Sequence, residues 1–555
     1  MQPQPGQVGR YIGVGVKRMS DQNHNKAITK RLASAVHYQQ VLDVIADSVQ
    51  HFDEVNVATS LHRLAKLQPN TGSNQCSALV YTPQFQQLVA AIKRLLHRFE
   101  AQAVSNTMWA FATLAYYPEG DLLDQIASHA ISIMPTFRPQ ATSNTLWAYA
   151  KLAYAPSPAM LKASADQLER DLAKSVPQDI SNTLWAFATL RHYPGRSLMA
   201  GAAAQAIITI QRFKPQEIAN TLWAYATLAQ DPGPGLLDAM AAQMVDRIAQ
   251  FRPQAVSNSL WAYAKLGYNP GREMLDVAAR KASHMLHQYT SQEIANTLWS
   301  LATLEHHPGV QMLDLAAHQI VRRIEQFSPQ DIANSVWAFA KIYHYPSCDL
   351  LQAAAHYCLR HWHRFKPQEV ANMFWALAIL KPGAPETWRA LLDKLALVPA
   401  ASFDEADQHQ IFQAYLLLEG QGSQLGTPSV ASLFPPGLLE DAATIWKQAI
   451  HRSGRMSKLQ EEVSRVLWSL GVIHRTDHIT MDGLFCVDIA LENDRVIIEV
   501  DGPSHFAVNS RRPLGRTIGH RSMLEARGYI VRSIPYYEWN VLEGIEEQKR
   551  YASIA

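Results

Sequence analysis

Phe327-Ser328-Pro329-Gln330-Asp331-Ile332-Ala333-Asn334-Ser335-Val336-Trp337-Ala338-Phe339-Ala340-Lys341-Ile342 is the stretch whose reading decides the fold. Ser328 suits a helix N-cap, and Pro329 suits the first helical position, where its missing N–H costs nothing. Asp331 then falls in the first turn, favourable to the helix dipole. Ile332, Ala333, Val336, Trp337, Phe339 and Ala340 follow helical spacing and form a wide apolar face. Tyr345-Pro346-Ser347 breaks the helix. A second helix is predicted through Leu350, Leu351, Ala354 and Leu359 towards Phe365, where the pattern restarts.

The pattern is periodic. Trp109, Trp147, Trp185, Trp223, Trp261, Trp299, Trp337 and Trp375 lie 38 residues apart, and the flanking wording repeats with them. A fixed period of this size marks a repeat array, in which each helical hairpin hides its apolar face against its neighbours. The predicted fold class is therefore mostly α, an α-solenoid of helical hairpins. Degenerate copies flank the eight regular ones. Phe52-Asp53-Glu54 leads into Leu61–Leu67 with His62 in place of Trp, followed by an insertion around Pro69–Cys76; Phe403-Asp404-Glu405 leads to Gln413. Polar residues at both ends suit terminal caps. The expected organisation is a disordered or targeting-remnant segment 1–27, a degenerate amino-terminal repeat 28–98, the repeat array 99–419, a Gly/Ser/Pro-rich linker 420–437, and a terminal α/β domain 438–555.

Bulk properties narrow the classes of function. The 555 residues exceed one ordinary core, and the formal net charge is only +2, so nucleic-acid binding must rest on where positive charge sits. No apolar run reaches membrane-helix length, and no membrane insertion is expected. Four cysteines without paired spacing suit a reducing interior. The first twenty residues carry Arg10, Lys17 and Arg18 and no acid before Asp21. That is acid-poor, as transit peptides are, without their serine content. The readings are a targeting remnant or an incomplete amino terminus.

Two stripes of the repeat invite a binding role. The tryptophans share the apolar face with Ile and Leu and are assigned to the inter-repeat core. Asn106, Asn144, Asn182, Asn220, Asn258, Asn296, Asn334 and Asn372 occupy one position throughout. Seven residues later come Thr, Lys or Ile, including Lys151, Lys265 and Lys341; three residues before, the position varies among Ala, Asp and Glu. These offsets share a helical face, and one variable polar pair per repeat is the format of a repeat-per-base RNA reader. The alternative is a structural ladder of asparagine hydrogen bonds between repeats. The glutamine four residues before each Asn is read as satisfying backbone near the helix start.

Beyond the linker, helices are predicted through Ala442–Ile450 and Leu459–Leu470. Strands follow at Leu484–Leu491, Arg495–Val500 and Tyr529–Ile534. Asp488, Glu499 and Asp501 can be arranged to hold a divalent cation such as Mg2+, with His505 as general base. Arg511, Arg512, Arg516, Arg521, Arg527 and Arg532 face a single nearby acid, Glu525, and read as a phosphate patch. Cys358, His361 and His363, with Cys348 near, have zinc-ligand chemistry, but two of them point apart on a helix, so zinc is set aside.

The wording Val487-Asp488-Ile489-Ala490-Leu491, Ile498-Glu499-Val500-Asp501-Gly502-Pro503-Ser504-His505-Phe506, Leu524-Glu525-Ala526-Arg527-Gly528 and Pro535-Tyr536-Tyr537-Glu538-Trp539 closely resembles the RAP domain. That domain is similar to a compact restriction-endonuclease fold. The 38-residue units resemble octotricopeptide repeats of algal organelle proteins and, more distantly, repeats of FAST-kinase-like mitochondrial RNA factors. The resemblance implies a single-stranded RNA-binding factor of the mitochondrial matrix or chloroplast stroma, acting on transcript stability, processing, splicing or translation. It requires no cofactor and no small-molecule substrate, and other RNA-processing or translation factors are expected partners. Nucleases of the related fold carry Lys two residues after the Glu, where this chain has Asp501. The rival functions are an Mg2+-dependent RNA endonuclease using Asp488, Glu499 and Asp501, and a protein-binding scaffold.

Overall fold

The computed structural model describes residues 23–68, 78–346, 349–380, 385–419, 429–435, 437–452, 456–491 and 495–554. The chain forms two compact units, Met1–Gln243 and Met244–Ala555. Most of the segment expected to be disordered, 1–27, lies outside the described residues. Its end does not fit that expectation: residues 23–34 are helical, and Ile28 and Leu32 are buried in the amino-terminal core.

In the first unit the leading helices of successive hairpins are Ala101–Thr113, Pro139–Lys151, Pro177–Thr189 and Pro215–Thr227. In the second they are Pro253–Leu266, Ser291–Thr303, Pro329–Lys341 and Pro367–Leu380, followed by Glu405–Glu419. Within each unit, leading helix stacks on leading helix and trailing helix on trailing helix. Proline opens most leading helices at the first position, as the sequence predicts. The phenylalanine before it is buried, for example Phe137, Phe213, Phe251 and Phe327. Tyr149 and Tyr225 are buried too, and each donates its hydroxyl to a carbonyl of the trailing helix before it, Leu123 at 2.9 Å and Met199 at 2.7 Å.

The leading helices end alike. Six residues after each of the seven tryptophans from Trp109 to Trp337 the backbone turns left-handed, at Ala115, Ala153, Arg191, Ala229, Gly267, Glu305 and Tyr343. The next amide reaches back to a carbonyl one turn inside, as Tyr154 N–H does to Tyr149 O at 3.0 Å. This is the Schellman closure, which satisfies carbonyls the helix leaves open. Only Gly267 in this set adopts the conformation without a Cβ penalty. Ala229→Gly is therefore expected to stabilise its unit by about 0.5–1 kcal/mol, visible as a higher urea midpoint at unchanged slope.

The terminal module is a four-stranded sheet in the order β1 (His474–Ile479), β2 (Cys486–Leu491), β3 (Val496–Asp501), β4 (Ile530–Pro535). The β1–β2 and β2–β3 pairs are antiparallel; β3–β4 is parallel, joined by the crossover helix Gly515–Ala526. Val463, Val466 and Leu467 of helix Lys458–Ser469 pack with Ile489, Ile498, Val500, Ile534 and Trp539 as its core. Of the expected linker, 420–428 and 436 lie outside the described residues. The rest is packed: Val430 and Phe434 are buried, and the Phe434 ring sits 5.6 Å from Tyr415 of the last array helix.

Candidate nucleic-acid interface

The stripe that stays accessible on the leading helices differs from the one the sequence suggests. All eight asparagines are partly exposed, and so are Trp109, Trp147, Trp185, Trp223, Trp261, Trp299 and Trp337. Only Trp375 is buried, at 5% exposure. Each of the others rests part of its indole on the core and presents the rest beside the asparagine three residues earlier. Trp109, Trp147 and Trp185, for instance, flank buried clusters rather than joining them. The glutamines four residues before each Asn, Gln102 to Gln368, are exposed on the same face. Glutamine, asparagine, tryptophan and the residue after the next turn thus form one line along each helix, spaced 4, 3 and 4 residues apart.

Two sequence expectations are corrected here. The tryptophans are not purely core. The variable position three residues before Asn belongs to the helix start: Asp179, Glu217, Glu293, Asp331 and Glu369 accept the N-cap amides of Val176, Lys214, Thr290, Ser328 and Lys366 at 2.8–3.1 Å. Those carboxylates, and not the glutamines, perform the capping-box task. Among the described residues no hydrogen bond links one stripe asparagine to its counterpart, and no Asn amide of the stripe is a buried group lacking a partner. The structural-ladder alternative therefore has no support in the geometry. In the first unit the stripe lines a trough of ≈ 290 Å³ bordered by Trp109, Asn144, Trp147, Asn182, Gln216 and Asn220.

The position seven residues after Asn separates into open and closed cases. Lys151 and Lys265 are exposed. Lys341 is not available as a phosphate ligand: its side chain is 16% exposed and pairs with Glu305 at 3.2 Å. Burial, with the nearby Arg516 charge, lowers its pKa. Arg516 meets the same Glu305 carboxylate at 3.3 Å.

The arginine cluster divides in the same way. Arg511 and Arg512 are exposed, and Arg511 lies 4.7 Å over the Tyr537 ring. Arg516 is exposed, with its guanidinium meeting Glu305 and donating to the Ser504 carbonyl. Arg521 is held by Asp501 at 3.2 Å, and Arg527 pairs with Glu419 and Asp482. Arg521 is therefore removed from the expected phosphate set, because its charge is already neutralised inside the domain.

Asp488, Glu499, Asp501 and His505 do come together, lining a cleft of ≈ 360 Å³ with Cys486, Arg516, Thr517, His520 and Arg521. Asp488 sits on β2, while Glu499 and Asp501 alternate along β3 onto the same face. Asp501 uses both oxygens: Oδ1 meets His505 Nδ1 at 2.8 Å, and Oδ2 accepts from Arg521 and Ser533. Burial alone would raise its pKa, but the His505 and Ser533 hydrogen bonds and the Arg521 charge hold it below the usual range. Glu499 goes the other way. Burial, then Asp488 and Asp501, push it well above normal, and its Oε1 is buried without a partner. Asp488 is raised, first by burial, while its Oδ2 accepts the Val500 amide at 2.7 Å. His520 is pushed down to about 4 by desolvation and by the charges of His505 and Arg521.

A divalent ion does not fit this donor set. Of the three carboxyl groups, one favours its neutral form and another has both oxygens committed to a guanidinium, an imidazole and a hydroxyl. Among the described residues no group of three or more His, Cys, Asp or Glu is placed to hold a metal. Of the zinc-type residues, Cys358 is buried with its thiol pushed up to about 12, His361 pairs with Glu325, and Cys348 lies outside the described residues.

The α/β module is seated on the array within the second unit. Val508 N–H donates to Glu305 O at 2.8 Å. Asn509 accepts from His307 N–H at 2.9 Å and donates to His307 O at 2.8 Å. His307 is buried here, and its pKa falls to about 4 through desolvation and the charges of Arg512, His344 and His306. Unfolded histidine titrates near 6.5, so below that pH the unfolded chain takes a proton the folded one refuses. The His307 contribution to stability is thus fully present above pH ~6.5 and is lost as pH falls towards 4, by up to about 3 kcal/mol. Chemical denaturation at pH 7 and pH 5 checks this, and His307→Asn is expected to reduce the dependence by that share.

Comparison with known proteins agrees with this architecture. The RAP domain profile matches residues 498–553, covering most of β3, the crossover helix, β4 and most of the last helix. The profile described as Tbc2 translation factor, N-terminal domain, matches residues 157–305 and again 233–403. Those two matches begin two repeat periods apart, as expected for a profile sliding along a periodic array. Residues 86–108 match a family described only as a protein of unknown function. A curated relative, "RAP domain-containing protein, chloroplastic" of Oryza sativa subsp. japonica, is 31% identical over 148 residues, covering 27% of this chain and 23% of the relative. The chain therefore spans about a quarter of that relative's length. No helix among the described residues is long and apolar enough to cross a membrane. The chain thus carries a RAP domain at its carboxy-terminal end, after an array of helical hairpins.

Proposed function

We propose that the protein binds single-stranded RNA selectively and acts after transcription on organellar transcripts, through their stability, processing or translation. One observation carries the reading: seven of the eight regular leading helices present glutamine, asparagine and tryptophan in line, with the amides unspent on structure. Amides pair with base edges, and an indole face stacks on any base. Lys151 and Lys265 add positive charge to the same line. The organellar setting is supported by the rice relative, whose name places it in the chloroplast, and the translation role by the Tbc2 description.

Electrophoretic-shift binding to a pool of single-stranded organellar RNAs, across salt and with or without Mg2+, tests it. Selective binding that weakens with salt and leaves the RNA intact is the expected result. Mg2+-dependent fragmentation, lost in Glu499→Ala, would establish the endonuclease instead. Absence of selective binding would leave the protein scaffold.

A further inference from the structure

The reading stripe is closed at its carboxy-terminal end by parts of the chain itself. Trp375, unlike the seven before it, is buried, and its indole N–H donates to Gln413 of helix Glu405–Glu419 at 2.5 Å. Its ring lies 6.2 Å from that of Trp337. Ile379, seven residues after Asn372, is 5% exposed, and Lys341, at the same place one repeat earlier, is tied to Glu305. Both lie under the crossover helix of the RAP domain. A Cβ at Gly515 would overlap the Ala340 carbonyl, and one at Gly519 would overlap the Ile379 side chain. Two glycines one turn apart on one helix face therefore bring that helix into backbone contact with the repeats. The Val508–Asn509 clasp on Glu305 and His307 holds the same seat from the loop before the helix.

We infer that the docked RAP domain, together with helix Glu405–Glu419 over Trp375, terminates the reading surface, leaving the Trp375 repeat unable to contact a base and the Trp337 repeat contacting one incompletely. The inference rests on the RNA reading of the stripe. The length of RNA recognised is thus set by where the RAP domain sits as well as by the number of repeats. Its loop, seated on Glu305 and His307 just after the Trp299 helix, carries the exposed Arg511 and Arg512, charge that holds phosphate without reading sequence.

The test uses the full chain and the variant Gly515→Ala/Gly519→Ala, with Val508→Pro/Asn509→Ala as a second, chemically independent way to loosen the seat. Alanine favours a helix, so the first variant leaves the crossover helix itself intact. Pulsed acetylation read by mass spectrometry follows docking without RNA. Lys341 in the wild-type chain is expected to react about tenfold or more slowly than Lys265, and at a comparable rate in both variants. Equal reactivity of Lys341 and Lys265 in the wild-type chain would overturn the docked arrangement. Nuclease footprinting on a selected RNA follows the consequence: the variants are expected to protect about one more nucleotide at one end, at one base per repeat, as the Trp337 repeat opens while Trp375 stays under Gln413. An unchanged footprint in both variants, with Lys341 released, would overturn the terminator role. No footprint for any form would instead overturn the RNA reading itself.

Discussion

Trp185→Leu is expected to weaken binding of a selected single-stranded RNA about 5- to 100-fold, the effect of losing one base–aromatic stack. The residue is half in and half out. One side packs against the cluster containing Leu146, Ala150, Leu161, Phe187 and Leu198, and the remainder is accessible beside Asn182. Leucine keeps much of the apolar contact while removing the flat face, so helix content and thermal midpoint are expected to change little compared with affinity. Trp375→Leu supplies the contrast. That indole is buried and hydrogen-bonded to Gln413, so its loss is expected to cost stability, about 3 kcal/mol, while affinity of the folded protein stays within a factor of about two. Circular dichroism melts together with salt-titrated binding separate the two effects. If Trp185→Leu lowered stability and left affinity untouched, the tryptophans would be core residues after all.

Asp501→Ala is expected to destabilise the RAP domain by about 3 kcal/mol, the low end for a buried pair broken on one side, since Arg521 keeps some solvent. Asp501 is 1% exposed and joins His505, Arg521 and Ser533, which come from the loop after β3, the crossover helix and β4. Removing it leaves a guanidinium facing Glu499 and Asp488 without its partner. Limited proteolysis is expected to release fragments cut near residues 502–530 at a temperature where the wild-type chain is intact. A metal-dependent nuclease makes the opposite forecast, a stable fold that has lost only cleavage. Asp501→Ala with unchanged melting and proteolysis would contradict the structural role given to the residue here.

Much of the architecture was legible because it repeats. Eight tryptophans in register, with Pro at the helix start and Phe before it, specify a hairpin whatever any one copy says. Strand β1, His474–Ile479, was not legible. It is an edge strand with the burial pattern of one face only, and His-Arg-Thr-Asp-His-Ile has no apolar alternation to show it. The accessible face of the leading helices was half legible. Tryptophan three residues after Asn is apolar by type, and type alone points to the core. Its position, 60° around the helix from Asn, already placed it at the border between core and solvent. The task of the residues before Asn was reversed for a related reason. An acid at the third helical position signals a capping box, and the glutamine beside it was then free to face out. The seat of the RAP domain could not be read at all. It depends on Gly515 and Gly519 meeting Ala340 and Ile379 across more than a hundred residues of chain, and no local pattern records such a contact.

The stripe as an RNA-facing surface is tested most directly by ultraviolet crosslinking of a selected single-stranded RNA to the full chain, with crosslinked peptides identified by mass spectrometry. Crosslinks are expected on the leading-helix peptides around Trp109, Trp147, Trp185, Trp223 and Trp261, and none around Trp375. Crosslinks confined to the trailing helices, or to the RAP domain alone, would contradict it.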